Sequence, residues 1–225
     1  MKGLPSMKLP ELFIFDMDGL MFDTERLFMN YLIDTASWYQ YTITPELYYN
    51  TIGCNGDVLK KKMLSILGPD YPFEEISQIV KGKIVTYALE NELPEKEGLR
   101  PLLNYLNRKK IPCCIASSSE SSLINTYLEK NQLQSYFSFV VGGEQVRKTK
   151  PEPDIFLKVC DNFYISPKNA FVLEDSENGI LAAVSAGIPV ICVPDLKLPS
   201  YENLTQTLFT TSSLNKVLEI LTDTI

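Results

Sequence analysis

Apolar residues in this chain gather in short unbroken runs, each followed by a polar cluster or a turn former. Five such runs, residues 12–15, 113–116, 139–141, 170–173 and 190–193, read as buried strands. The segments between the later runs carry helical patterns, at 122–131, 154–162 and 178–186. Strands alternating with helices predict an α/β fold, a mainly parallel Rossmann-like sheet with helices on both faces and right-handed crossovers. Residues 209–210 are expected to add a short edge strand.

The interval between the first and second strands is far longer than a crossover needs. It holds amphipathic stretches at 25–39, 58–67 and 73–90. Asp23 or Thr24 can cap its start, and Pro94 and Gly98 mark its end. The expected organisation is a core made of residues 1–23 and 96–225, with residues 24–95 inserted as a helical cap domain above the carboxyl edge of the sheet.

Composition narrows the chemistry. The chain has 225 residues, 45% of them apolar and 22% charged, with a formal net charge of -7. That balance suits a globular protein and offers no basic footprint for nucleic acid or an anionic membrane. There is no histidine, which excludes Ser-His-Asp and Cys-His catalysis and every histidine-ligated zinc site. Acid–base work must then fall to Asp, Glu, Lys, Tyr or Cys. The five cysteines form no C-x-x-C pair. They read as buried free thiols in a reducing, cytoplasmic setting. Prolines at 5 and 10 and the acids at 16 and 18 break the N-terminal apolar stretch, so neither a signal peptide nor a membrane span is expected.

Parallel sheets bind ligands outside the carboxyl ends of their strands. The first run ends in Phe15-Asp16-Met17-Asp18-Gly19. Two acids directed at one site repel unless a cation or shared proton compensates, whereas a solvated turn would need neither. The second run ends in Ser117-Ser118-Ser119, suited to binding an anion or to capping the next helix. Lys150 lies in a loop stiffened by Pro151 and Pro153 and is either a fixed charge for a phosphate or a solvated lysine. The fourth run ends in Glu174-Asp175-Ser176. Those acids can join Asp16 and Asp18 around a hard cation or cap the following helix.

Taken together, Asp16-Met17-Asp18-Gly19-Leu20-Met21-Phe22-Asp23-Thr24-Glu25, Ser117, Lys150-Pro151-Glu152-Pro153-Asp154 and Glu174-Asp175-Ser176 resemble the haloacid dehalogenase superfamily. The resemblance covers residues 12 to about 194 and is nearest to the subgroup of β-phosphoglucomutase and sugar-phosphate phosphatases with a helical cap. It implies that Asp16 attacks phosphorus to form an aspartyl-phosphate and that Asp18 serves as acid and then base. It also implies that Ser117, Ser118 and Lys150 hold the phosphoryl group. Mg²⁺ would be bound by Asp16, the Asp18 backbone carbonyl and Asp175, with Glu174 alongside. In the cap loop 52–57 the mutases carry an arginine where this chain has Gly56, and three residues after Ser117 they carry a lysine where it has Glu120. Gly53, Asn55 and Glu120 are therefore candidates for substrate choice.

The expected function is an Mg²⁺-dependent phosphatase for a small phosphorylated metabolite, with no nucleic-acid or membrane partner and no requirement beyond a monomer. The alternatives are a phosphosugar mutase drawing cations from Lys60, Lys61 or Lys62, a phosphonate hydrolase using one of those lysines, and a non-catalytic phosphate-binding regulator.

Overall fold

The computed structural model describes residues 8–54 and 56–223. Among the described residues six strands form one sheet, all neighbours parallel, in the order β3-β2-β1-β4-β5-β6. They are β1 Leu12–Phe15, β2 Cys113–Ala116, β3 Phe137–Val141, β4 Ala170–Glu174, β5 Val190–Cys192 and β6 Phe209–Thr210. Each of the five expected runs is a strand. β3 begins two residues before the expected 139, where the Phe137 ring meets Phe15 edge-on at 5.7 Å. β4 runs one residue past the expected 173 and takes Glu174 into the sheet, paired with Cys192.

In a strand, alternate residues face opposite sides. Leu12 and Ile14 of β1, Cys114 and Ala116 of β2 and Val172 of β4 share one apolar cluster. Helices α7 (Asp154–Phe163) and α8 (Glu177–Ser185) close that cluster with Ile155, Phe156, Val159, Ile180 and Ala183. The opposite side of β1 carries Phe13 and Phe15, and Phe13 meets Phe171 edge-on at 5.8 Å. Helices α5 (Leu99–Arg108) and α10 (Leu214–Asp223) pack together. Gly98, at the start of α5, lies so close to α10 that a Cβ there would sit 2.1 Å from the Asn215 backbone nitrogen. The remaining core helices are α6 (Ser121–Lys130) and the short α9 (Tyr201–Leu204).

The chain divides into two compact units, residues 1–23 with 93–225, and residues 24–92. The second unit contains α1 (Thr24–Trp38), α2 (Pro45–Tyr49), α3 (Gly56–Leu67) and α4 (Phe73–Glu90). Its tyrosines knit these helices together. The Tyr48 hydroxyl donates to Glu25 at 2.6 Å, the Tyr39 hydroxyl donates to Glu75 at 2.7 Å, and Tyr41 meets Tyr71 edge-on at 5.1 Å. Lys60 pairs with Glu74 and Lys62 bonds the Asn50 carbonyl, so two of the three consecutive lysines serve structure within the unit. Gly53 takes a left-handed φ of 85° in the loop before α3, while Asn55 lies outside the described residues. No helix among the described residues is long and apolar enough to cross a membrane.

Four cysteines, Cys113, Cys114, Cys160 and Cys192, are buried, and all five are free thiols. Burial pushes Cys113 and Cys192 up to about 12 and Cys160 to about 11, so these thiols stay protonated and unreactive.

Candidate active site

The strand order reverses between β1 and β4, which marks the crevice where such sheets bind ligands. Asp16 follows β1 directly, its N–H donating to the Leu173 carbonyl at 3.0 Å. The chain then turns back, with Gly19 N–H donating to the Phe22 carbonyl and Met21 N–H to the Met17 carbonyl. Gly19 has φ 84°, and a Cβ there would lie 2.5 Å from Asp175 Oδ2. Only glycine allows both that backbone conformation and the approach of the second acidic strand end.

Lys150 binds the two strand ends together. Its ammonium donates to Asp16 Oδ1 at 2.5 Å and to Glu174 Oε1 at 2.6 Å. The side chains of Lys150, Asp16 and Glu174 are 5%, 10% and 0% exposed, so this is a buried charge network rather than a surface ion pair. Lys148, two residues earlier, is exposed and only faces Glu152. Burial works against the Lys150 charge, but the Asp16 and Glu174 carboxylates outweigh it and raise its pKa above the ordinary value. Burial is also the largest influence on Asp16. The Lys150 charge opposes it, the Glu174 and Asp18 charges reinforce it, and the carboxyl is pushed up to about 8.

Glu174 uses both oxygens. Oε1 accepts from Lys150, while Oε2 accepts from the N–H groups of Asp175 and Ser176 and from the Ser176 hydroxyl, each at 3.0 Å. Helix α8 is capped by Ser176, whose hydroxyl accepts from Gly179 N–H at 3.1 Å. A Cβ on Gly179 would sit 1.8 Å from Glu174 Cδ, so the carboxylate lies directly on the first turn of α8.

Asp16, Glu174 and Asp175 each offer a carboxylate oxygen within 4.8 Å of the others. An all-oxygen anionic set suits a hard divalent cation such as Mg²⁺. The side chain of Asp18 is not part of this set. It turns toward the end of β2, where its Oδ2 accepts from Ser119 Oγ at 2.8 Å and from Ser117 Oγ at 3.4 Å.

Asp16, Lys150, Glu174 and Asp175 are thus joined by direct contacts or by the carboxylate cluster, while Asp18 and Ser117 meet each other at the end of β2. Ser118 and Glu120 stand differently, both exposed on the turn after β2. Glu120 precedes α6 without capping it. The α6 N-terminus is bound instead by the Glu144 carboxylate, which accepts from Ser121 N–H at 3.1 Å and from the Ser121 hydroxyl.

Two features are not predicted by the sequence pattern. Ser119 contacts Asp18 more closely than Ser117 does, and nothing in three consecutive serines distinguishes them in advance. Lys96 bridges Asp195 at 2.5 Å and Asp23 at 3.7 Å. Asp195 is 3% exposed, and its Oδ2 lies 3.4 Å from where a Gly19 Cβ would be. Lys96 and Asp195 are far apart in sequence, and only the fold brings them together.

The haloacid dehalogenase-like hydrolase family model matches residues 13–193. A probable pseudouridine-5'-phosphatase of Drosophila melanogaster is 33% identical over 82% of this chain and 82% of its own length. A phosphorylated carbohydrates phosphatase of Thermotoga maritima is 31% identical over 79% of this chain and 82% of its own. Among solved structures, a Thermotoga maritima protein assigned as a β-phosphoglucomutase superposes with a TM-score of 0.77 at 27% identity, covering 95% of this chain and 99% of that one. CbbY of Rhodobacter sphaeroides, solved with phosphate, has a TM-score of 0.75 at 21% identity over 93% and 96% of the two chains, and shares the fold. The match across most of the chain, together with these relatives, shows that it belongs to the haloacid dehalogenase-like hydrolases, among relatives that are phosphoric monoester hydrolases.

Proposed function

We propose that this protein is an Mg²⁺-dependent phosphatase that hydrolyses a small phosphomonoester, a sugar or nucleoside phosphate, through a phosphoryl group held covalently on Asp16. The observation that carries the reading is the pairing of Asp16 with Lys150 at 2.5 Å in a buried site, with Asp18 two residues away and bonded to hydroxyls of its own. A carboxylate beside a fixed cation is a positioned nucleophile rather than a solvated acid. The phosphatases of Drosophila and Thermotoga support the reaction class and suggest a ribosyl or carbohydrate phosphate.

Asp16 Oδ attacks phosphorus while the ester oxygen departs with a proton from Asp18. Lys150 and the Ser117 hydroxyl offset charge on the phosphoryl oxygens. Asp18, now a carboxylate, takes a proton from water as that water attacks phosphorus, which releases phosphate and restores Asp16. Asp16, Asp175, Glu174 and the Asp18 backbone carbonyl would hold Mg²⁺, which supplies further positive charge to the phosphoryl oxygens.

Hydrolysis of p-nitrophenyl phosphate with and without Mg²⁺, followed by a panel of sugar, nucleotide and polyol phosphates, tests this reading. Free phosphate is expected from wild type and none from Asp16→Asn. Isomerisation of a sugar phosphate without net release would instead establish a mutase.

A further inference from the structure

We propose that Ser119 is a positioning residue for the reaction, holding the Asp18 carboxyl so that it can exchange a proton with the leaving oxygen. The inference rests on the acid–base reading of Asp18.

A serine hydroxyl carries one proton and so makes one donated bond. Ser117 is buried, and its oxygen already accepts from Ser119 N–H at 3.1 Å. Its own proton has two claimants, Asp18 Oδ2 at 3.4 Å and, in the proposed reaction, a phosphoryl oxygen. A contact of 3.4 Å is weak beside the 2.8 Å bond from Ser119 Oγ. The two hydroxyls therefore divide the work: Ser117 is left for the phosphoryl group, and Ser119 fixes Asp18.

The turn bearing Ser119 is held from behind. Gly143 N–H donates to the Ser119 carbonyl at 3.0 Å. A Cβ on Gly142 would lie 2.9 Å from that carbonyl oxygen and 2.4 Å from Ser121 N, and one on Gly143 would lie 2.5 Å from the Ser118 carbonyl oxygen. Two glycines thus let the loop after β3 press directly on the backbone of 118–121. The Glu144 carboxylate ties the same turn to that loop through Ser121. Side chains on a supported backbone hold a productive geometry better than those on a free loop. Ser119 is half-buried beside exposed Ser118, so its hydroxyl is directed by this packing.

Acid catalysis matters most when the leaving alcohol is a poor leaving group. A misplaced Asp18 should therefore slow cleavage of an alkyl phosphate far more than cleavage of p-nitrophenyl phosphate. The experiment compares kcat/KM for both substrates in wild type, Ser119→Ala, Ser119→Thr and Asp18→Asn, with thermal melting to show that each variant is folded. Ser119→Ala should lose about tenfold on the alkyl ester, the scale of one hydrogen bond, and under about threefold on the aryl ester. Ser119→Thr, which keeps a hydroxyl, should recover most of the loss. Asp18→Asn should show the same bias at a scale of about 10²-fold or more. Equal losses on both substrates in Ser119→Ala, with the bias intact in Asp18→Asn, overturn the role of Ser119 alone. A rise in KM confined to Ser119→Ala assigns it to substrate binding and also overturns the proposal. Equal losses in Asp18→Asn overturn the acid–base reading and the inference with it.

Discussion

Replacing Lys150 by methionine removes one positive charge from a site that keeps two buried carboxyl groups. The Lys150 side chain is 5% exposed and bonds Asp16 at 2.5 Å and Glu174 at 2.6 Å, with Glu174 fully buried. Methionine fills similar volume, so the packing against Phe156, whose ring centroid is 4.9 Å from the ammonium, is largely kept and the electrostatic loss dominates. Breaking a buried pair by removing one partner costs about 3–5 kcal/mol, because a charge is left desolvated and unmatched. Asp16, pushed up to about 8, is already largely protonated at neutral pH, so Glu174 is the carboxylate that loses its partner. The expected loss in metal-free protein at neutral pH is about 3 kcal/mol, read by urea unfolding. Adding Glu174→Gln removes the second charge, so the double variant should be more stable than the sum of the single losses predicts, by about 1–3 kcal/mol. Activity should fall by about 10²–10³-fold, the scale of losing one fixed group that stabilises developing charge. If Lys150→Met unfolds within about 0.5 kcal/mol of wild type, the scale of an ordinary surface substitution, the charge network does not hold the site together.

Other consequences can be checked in the same preparations. The folded-state pKa of Asp16 is raised from 3.8 to about 8, so its ionisation opposes folding increasingly as pH rises through that window. Lys150 is raised above its ordinary 10.5 and stays charged throughout, so it adds no slope there. Metal-free wild type should therefore lose Tm relative to Asp16→Asn between about pH 5 and pH 8, and Mg²⁺ should raise Tm more at pH 8 than at pH 5. A constant difference across that range contradicts the assignment. Gly179→Ala should destabilise by at least about 2 kcal/mol and impair turnover, since its methyl would need the space of the Glu174 carboxylate. Gly82→Ala, in the exposed middle of α4 with nothing within 4 Å of the new Cβ, should stabilise by about 0.5–1 kcal/mol with unchanged activity. Denaturation midpoints for the two glycine variants moving in the same direction would contradict this contrast.

The sheet and the meeting of its polar strand ends are legible in the sequence because fully buried strands leave unbroken apolar runs. Leu12–Phe15 and Ala170–Glu174 are buried at every position. The polar residues directly after such a run must lie at a strand end, and the strand order brings Asp16 and Glu174 to neighbouring ends. Side-chain direction is less legible. The chain has Ser117, Ser118 and Ser119 in a row, and nothing in that run says which hydroxyl lies nearest Asp18; in the fold it is Ser119, on a backbone packed against Gly142 and Gly143. The Lys96–Asp195 pair depends on long-range closure and leaves no local pattern. Helix α5 is likewise absent from the elements that the apolar pattern predicts. Pro101 sits in its first turn, where the absent N–H has no helical partner to lose. The serines before α6 read as a local cap, yet the N-cap position is Glu120, whose side chain makes no cap bond, and the capping carboxylate is Glu144 from the next loop.

The central claim is a covalent phosphoryl group on Asp16. Enzyme quenched in acid during turnover, reduced with borohydride and digested should yield the peptide around Asp16 with that residue converted to homoserine, detected by mass spectrometry. Asp18, Glu174 and Asp175 should remain unmodified, and Asp16→Asn should give no conversion. Active enzyme whose reduced product lies on another carboxylate, or that turns over with no acyl-phosphate at any quench time, would contradict the account.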